Sequence, residues 1–270
     1  MLSRLIGLDN KLFLTNENRK GKIMAKPITN FIDTEIIPYK EIKGASGQYE
    51  KILAKDPQTG AYTRLILSQA DFDESIRAYD SPSHKMLIHE DEWEEVYSFS
   101  GTLIDTNLNR TFKEGYFACR PPRMKHGPFF HPTSAVSYEV KTPGHLWNKP
   151  ELEFFDTEVL PWQQAKDIPG QYEKILCEDQ NTGGFTRLVL NQPDLSDCIQ
   201  DYHHPKHQEL YCAGKWVEIM ILKGTVVDPK LNQTYKRGYY GCFAPGTKRG
   251  PYFYPTGAIW LETVYAPLSR

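Results

Sequence analysis

The chain has 270 residues, of which 40% are hydrophobic and 24% charged, and its formal net charge is −2 at pH 7. These values are ordinary for a globular protein, and such a small charge favours neither nucleic acid nor a membrane surface as a partner. No apolar run reaches the ~18 residues that a membrane-spanning helix needs, and we expect no secretory leader. The five cysteines lack CxxC spacing, so a reduced, cytoplasmic protein is expected rather than a disulfide framework.

Short strand-like segments follow one another along the chain. QYEKILAKD (48–56) and AYTRLILSQ (61–69) flank the turn sequence PQTG and predict a hairpin. WEEVYSFSGTLID (93–105) predicts a second hairpin-like element, because a glycine interrupts the strand. GYFACRPP (115–122) and AVSYEVK (135–141) predict two more strands, on either side of a Pro-rich loop. Many short, evenly spaced strands are typical of an all-β sandwich or small barrel.

The chain contains one module twice. GQYEKIL occurs at Gly47 and again at Gly170, 123 positions later, and the same offset aligns GTLIDTNLNRTFKEGYFAC with GTVVDPKLNQTYKRGYYGC. A period this long without a third copy indicates two duplicated domains rather than a solenoid. We therefore predict an N-terminal extension over residues 1–31, a first domain over 32–148 and a second over 149–270.

Two segments of the first copy resemble the metal-binding motifs of the cupin superfamily. Glu94 is followed by six residues and Gly101, and His89 stands five residues before Glu94, where the family's second histidine belongs. The sequence PPRMKHGP places His126 in a turn like that of the family's second motif. The surrounding residues look most like cupins of the anti-sigma-factor ChrR type. The resemblance implies an all-β chain of two tandem double-stranded β-helix, or jelly-roll, barrels.

One position departs from the family's first motif. Its first histidine would stand two residues before His89, where this chain has Leu87. The site then uses three protein ligands, His89, Glu94 and His126, or recruits a fourth such as His84. Two imidazoles and a carboxylate form the facial set typical of non-haem Fe(II), and the set also suits Zn(II), Mn(II), Ni(II) or Co(II). We expect one divalent metal ion per chain, with Fe(II) favoured.

The second copy replaces all three of these residues, with Cys212, Val217 and Arg249 at the matching positions. Three losses together are expected if the residues serve one purpose in the first copy, so we expect no metal site in the second domain. Glu95 is kept in both copies. We expect it to pair with a buried cation, for which Arg64 is the candidate, because a lone buried carboxylate is costly.

These features favour a metal-dependent enzyme, with dioxygenase-type oxidation of a small organic substrate as the leading hypothesis. Tyr97 and Arg123, together with Phe117 and Tyr138, are predicted to line the pocket. The alternatives are a ChrR-type sensor that binds metal or ligand without turnover, and a lyase or isomerase with a redox-inert metal. We also expect a homodimer.

Overall fold

The computed structural model describes residues 26–71, 85–194 and 205–267, and the regular structure in these residues is strands and single-turn 3-10 helices. The all-β prediction is confirmed. The strands of the first copy are β1 (Thr29–Asp33), β2 (Lys40–Glu41), β3 (Gln48–Lys55), β4 (Tyr62–Ser68), β5 (Glu92–Ser100), β6 (Thr102–Asp105), β7 (Arg110–Lys113), β8 (Tyr116–Arg120), β9 (Phe129–Phe130) and β10 (Ala135–Pro143).

The second copy repeats this series. Its strands are β11 (Leu152–Asp156), β12 (Gln163–Gln164), β13 (Gln171–Glu178), β14 (Phe185–Asn191), β15 (Leu210–Tyr211), β16 (Trp216–Asp228), β17 (Gln233–Lys236), β18 (Tyr239–Phe243), β19 (Lys248–Arg249) and β20 (Ala258–Tyr265). The 3-10 helices are Thr34–Ile36, Gly144–Leu146, Thr157–Val159 and Pro205–His207. No helix in the described part of the chain has the length and apolarity to cross a membrane.

The strands form two barrels with matching strand order. In the first barrel the main sheet runs β11-β8-β5-β10-β4-β3-β2, and the small sheet β7-β6-β9 covers it. In the second barrel the main sheet runs β1-β18-β16-β20-β14-β13-β12, with β17 paired to β16 and β15 paired to β19. Each barrel encloses its own apolar cluster, which contains Phe112 and Phe129 in the first and Tyr235 and Tyr252 in the second.

The two barrels exchange their first strands. β1 pairs with β18, so that Thr29 lies opposite Cys242, and β11 pairs with β8, so that Leu152 lies opposite Cys119. The residue after each exchanged strand fixes that strand to the other barrel. The Thr34 hydroxyl donates to Gly238 O over 2.7 Å, and the Thr157 hydroxyl donates to Gly115 O over 2.7 Å. Each sheet is therefore completed by a strand from the other copy. The predicted domain limits at residues 31 and 148 stay a prediction.

The main sheets also pack against each other through a shared apolar core. Successive side chains of a strand point to opposite faces, so each sheet places one set of residues in its barrel and the other set in this contact. The contact includes Cys119 and Cys242, which hold matching strand positions in the two copies and are fully buried. It also includes the aromatic side chains Trp93, Tyr97, Phe117, Tyr138, Trp147, Trp216, Tyr240 and Tyr265.

Each copy places one buried glutamate in this contact, and each glutamate is paired with a lysine. Glu95 binds Lys149 and accepts hydrogen bonds from the Thr186 hydroxyl over 2.7 Å and from the Cys177 thiol over 3.0 Å. The prediction of a buried cation beside Glu95 is confirmed, but Arg64 as that cation is wrong. The Arg64 side chain points into the first barrel, because residues 64 and 95 lie on opposite faces of the sheet.

The matching glutamate of the second copy is Glu218, and it has more donors. Lys26 Nζ lies 2.7 Å from its Oε1, and the Thr63 hydroxyl donates to Oε2 over 2.5 Å. The phenols of Tyr240 and Tyr265 donate over 2.6 and 2.5 Å. Burial opposes the charged form, but Lys26 and these hydrogen bonds hold the pKa of Glu218 below its usual value.

Candidate metal centre

The inner face of the first barrel carries a row of charged side chains across three strands. Glu94 on β5 lies opposite Lys141 on β10 and Arg120 on β8. The side chains of all three are at least nine-tenths buried. Charged groups in such a position need partners, and these three supply partners to one another.

Two histidines approach this row from the loops. A pair of backbone hydrogen bonds joins Leu87 to His126, and Arg123 N donates to His89 O over 2.7 Å, which holds the two loops side by side. His89 Nε2 lies 3.0 Å from Glu94 Oε1, and His126 Nε2 lies 3.5 Å from Glu94 Oε2. One donor atom from each of the three residues lies within 4.8 Å of the others. The structure thus brings together the three residues that the sequence selects as metal ligands.

The protonation of His126 suits a metal ligand. Its Nδ1 lies 3.2 Å from Met124 O, so Nδ1 carries the hydrogen and Nε2 keeps its lone pair toward Glu94. Burial and the nearby Arg120 guanidinium lower the pKa of His126 to about 4, which leaves the ring neutral at pH 7. A neutral imidazole oriented by a backbone carbonyl is the form that binds metals.

The spacing of the donors fits a divalent ion. Nitrogen and oxygen ligands lie ~2.1 Å from such an ion, so two ligands at right angles are ~3 Å apart. The distances from Glu94 to His89 and His126, 3.0 and 3.5 Å, agree with that spacing. His89 is the most accessible of the three, with 24% of its side chain exposed, so an ion can reach the group from this side.

Two cations lie directly against the carboxylate. Lys141 Nζ is 3.2 Å from Glu94 Oε1 and 3.1 Å from His89 Nε2, and Arg120 Nη1 is 2.8 Å from Glu94 Oε2. Arg120 is also paired with Glu153 over 3.0 Å. Burial would raise the pKa of the Glu94 carboxyl, but Lys141, the hydrogen bond from His89 and Arg120 hold that pKa well below its usual value. Glu94 is therefore ionised, as a ligand must be.

The sequence did not reveal Lys141 and Arg120 as parts of this group. Comparison of the two copies could have found them, because the second copy has Val264 and Phe243 at these positions. Both cations are absent where the three ligand residues are absent. The whole charged cluster, and not only the ligands, therefore distinguishes the first copy from the second.

The expected pocket residues lie elsewhere. Tyr97 packs in the core between the barrels with Phe117 and Tyr138, because residues 94 and 97 point to opposite faces of β5. The expectation that these three aromatic residues line the pocket is corrected. Arg123 lies at the surface beside the group, where its side chain is 75% exposed and its Nε is 3.5 Å from Glu90 Oε2. His84 lies outside the described residues.

A second set of metal-type donors consists of Glu95, Cys119 and Cys177, between the barrels. Lys149 occupies one oxygen of this carboxylate, and the Thr186 hydroxyl occupies the other. Burial raises the pKa of the Cys177 thiol, which keeps it protonated. This set is therefore part of the buried ion pair and does not form a metal site.

Comparisons with known proteins agree with this architecture at the level of fold. No protein-family model matches the chain, and no curated protein matches it. Among solved structures, a proposed dioxygenase from Nostoc punctiforme is 14% identical, with a TM-score of 0.65 over 92% of this chain and 85% of that chain. A cupin 2 conserved barrel domain protein from Leptotrichia buccalis is 13% identical, with a TM-score of 0.55 over 90% of this chain and 99% of that chain.

The chain has a cupin fold. Another similar cupin structure is HEPD from Streptomyces albus, solved with its substrate 2-hydroxyethylphosphonate and Fe(II) bound. It is 8% identical, with a TM-score of 0.59 over 93% of this chain and 78% of that chain. At such identities the likeness concerns the fold, and function has to be argued from the site itself.

The second cupin barrel has uncharged side chains at the positions of Glu94, Lys141 and Arg120. Val217 on β16 lies opposite Val264 and Phe243, where the first barrel has Glu94, Lys141 and Arg120. Arg249, at the position of His126, is instead paired with Glu262 over 2.8 Å. Cys212 is buried, and burial raises the pKa of its thiol. This barrel therefore lacks the ligand set among its described residues.

Proposed function

We propose that the protein is a metal-dependent cupin enzyme, with one divalent ion held by His89, Glu94 and His126. The observation that carries the proposal is the convergence of these three donors, with His126 neutral and Glu94 ionised. We further propose a dioxygenase-type oxidoreductase that oxidises a small organic molecule, with Fe(II) as the metal, in a bicupin whose domains are of the ChrR type. The similarity to HEPD and to the proposed dioxygenase supports this choice through fold alone.

The residues around the proposed metal have different roles. Iron(II) in this set would supply the redox centre and open coordination positions for substrate and dioxygen. Arg120 orients the carboxylate by donating to Glu94 Oε2, and Glu153 holds the guanidinium in place. Met124 O orients the His126 ring. The burial of Glu94, Arg120 and His126 excludes water from one side, while the exposed edge of His89 leaves the other side accessible.

Lys141 has a separate position in the group. Its ammonium contacts Glu94 Oε1 and His89 Nε2, which are atoms that the metal would use. Lysine and metal therefore compete for Glu94 Oε1 and for the His89 ring, and the charge of Lys141 opposes that of the ion. We expect Lys141→Met to tighten metal binding, measured by competition with a chromophoric chelator. Weaker binding would show that Lys141 supports the site instead, and unchanged binding would show that it does not compete with the metal.

The test of the proposed function is metal analysis of the purified protein, beside His126→Ala. Arg249→Ala is the matched control, because it changes the same position of the second barrel. We expect about one equivalent of iron in the wild type and in the control, and loss of the metal from His126→Ala. Oxygen-consumption assays with candidate substrates would then follow.

Other outcomes change the proposal in different ways. Stoichiometric zinc that is lost with His126 would favour a sensor of the ChrR type, or a lyase or isomerase with a redox-inert metal. No metal in the wild type after reconstitution with Fe(II), Zn(II), Mn(II), Ni(II) and Co(II) would overturn the site.

A further inference from the structure

Four residues beyond Glu94 on β5, the side chains on the inner face of the first barrel differ from those at the matching positions of the second barrel. In the first barrel Ser137 on β10 lies opposite Ile66 on β4 and Ser98 on β5. In the second barrel the same row holds Trp260, Val189 and Ile221. An indole and a branched alkyl group in one barrel thus correspond to two hydroxymethyl groups in the other.

This exchange puts small polar side chains in the first barrel where the second has bulky apolar ones. Trp260 is 2% exposed and packs against the Tyr254 ring at 5.7 Å, whereas Ser137 is partly exposed and the position of Tyr254 is held by His131. Ser98 is 3% exposed, and its hydroxyl has no hydrogen-bond partner among the described residues. Buried polar atoms are rarely left without partners, so an unpaired hydroxyl at a position where the second barrel has a bulky side chain indicates a place for a ligand.

The charges at the metal end indicate what kind of ligand it is. A divalent ion bound by two neutral imidazoles and Glu94 leaves one positive charge, and Lys141 adds a second. Arg120 is balanced by Glu153, and Glu92 lies 3.9 Å from Lys141 with a partly exposed side chain. Glu139, two residues from Lys141 on the same face of β10, is paired with Arg64 over 2.9 Å. An uncompensated positive charge in a buried site is costly, so an anionic ligand would stabilise it.

We propose, on the basis of the proposed function, that the substrate is an organic acid that extends along the inner face of the first barrel. Its acid group binds between the metal and Lys141, and its far end is polar and accepts or donates hydrogen bonds at Ser98 and Ser137. Glu94 and Ser98 are four residues apart on β5, a distance of ~13 Å between their Cα atoms, which one substituted ring between two polar ends can span. The row between them holds Val96 together with Glu139 and Arg64, which pair over 2.9 Å, so the middle of the ligand meets one apolar side chain and one ion pair.

The experiment is calorimetric titration of the metal-loaded protein with acetate, benzoate and para-hydroxybenzoate, and with para-hydroxybenzamide as the uncharged probe. Metal content is measured on every variant. In the wild type we expect para-hydroxybenzoate to bind at least ten-fold more tightly than the amide and than acetate. Ser137→Trp, which installs the residue of the second barrel, should weaken para-hydroxybenzoate at least ten-fold without changing acetate or metal content.

Three further variants separate the proposed contacts from misfolding and from general effects on the protein. Ser98→Ile introduces a side chain that is smaller than the indole of Ser137→Trp, and it should also weaken the binding of para-hydroxybenzoate. Trp260→Ser makes the reverse change in the second barrel and should leave the binding of all probes unchanged. Lys141→Met should weaken the binding of all three acids at least ten-fold and retain the metal. Metal-loaded wild type that binds no acid, or variants that bind all probes as the wild type does, would overturn the inference. Absence of metal from the wild type would instead be a failure of the proposed function.

Discussion

The two buried lysines between the barrels give the sharpest prediction, because they hold matching positions with different surroundings. Lys149→Met leaves Glu95 buried with only the Thr186 hydroxyl and the Cys177 thiol as donors. Lys26→Met leaves Glu218 with one threonine hydroxyl and two phenols. Removal of one partner from a buried ion pair costs ~3–5 kcal/mol, because the other charge is left without compensation.

The number of remaining donors sets the difference between the two variants. A hydrogen bond to a charged group contributes ~1.5–3 kcal/mol, and a thiol is a weak donor. Glu218 keeps two phenol bonds where Glu95 keeps one thiol bond, so its charge is better compensated after the lysine is lost. We expect Lys149→Met to lower the free energy of unfolding by ~4 kcal/mol and Lys26→Met by ~2 kcal/mol.

The assay is equilibrium unfolding in urea at pH 7, followed by tryptophan fluorescence. The control is the double variant Glu95→Leu/Lys149→Met, which removes both charges and should recover most of the loss. Equal losses for the two lysines, or a larger loss for Lys26→Met, would refute the donor-count reasoning. A double variant no more stable than Lys149→Met would show that the cost lies in packing and not in the unpaired carboxylate.

Three other predictions follow from described contacts. The folded pKa of Glu218 is below its unfolded value of ~4.3, so the carboxylate stabilises the fold above about pH 4.3. This contribution is lost as the pH falls through the folded pKa. Glu218→Gln should therefore lose less stability than the wild type in acid titrations followed by unfolding. Gly101→Ala should lower the free energy of unfolding in urea by at least ~3 kcal/mol, since the φ of Gly101 is +80° and an added Cβ would lie 2.2 Å from Ser134 O. Gly60→Ala is the control, because Gly60 has a φ of +81° but no atom within 4 Å of an added Cβ, and it should cost ~1 kcal/mol. Equal costs would contradict the clash at Gly101. Phe31→Ala should destabilise the second barrel by ~3–5 kcal/mol in thermal unfolding, because its ring packs against three aromatic rings there, and a loss below 1 kcal/mol would argue against the strand exchange.

Much of the fold could be predicted because its signals are local. The hairpin expected over 48–56 and 61–69 is formed by Gln48–Lys55 and Tyr62–Ser68. The sequence repeat predicts two barrels of matching strand order, since similar sequences adopt similar folds. The convergence of His89 with Glu94 follows from their closeness in the chain, and a turn brings His126 to the same place.

The rest depends on strand register and on pairing across the whole chain. Lys141 and Arg120 reach Glu94 only because β10 and β8 flank β5 in one register, which spacing along the sequence does not reveal. Lys149 reaches Glu95 because the two barrels pack together, so Arg64 was the wrong partner. Tyr97 was wrongly placed in the pocket because residues an odd number of positions apart on a strand point to opposite faces. Counting strand positions from Glu94 would have placed Tyr97 on the other face of β5.

The exchange of first strands also sets the order in which the protein can be completed during synthesis. β11 pairs with a strand only 33 residues earlier, from Leu152 back to Cys119, so the first barrel can close soon after its own sequence has been made. β1 is translated before the other described strands, yet Thr29 pairs with Cys242, 213 residues later. Contacts of such long sequence separation form slowly, and unpaired edges are prone to aggregation. The first strand of the nascent chain must therefore stay without its partner until β18 has been added.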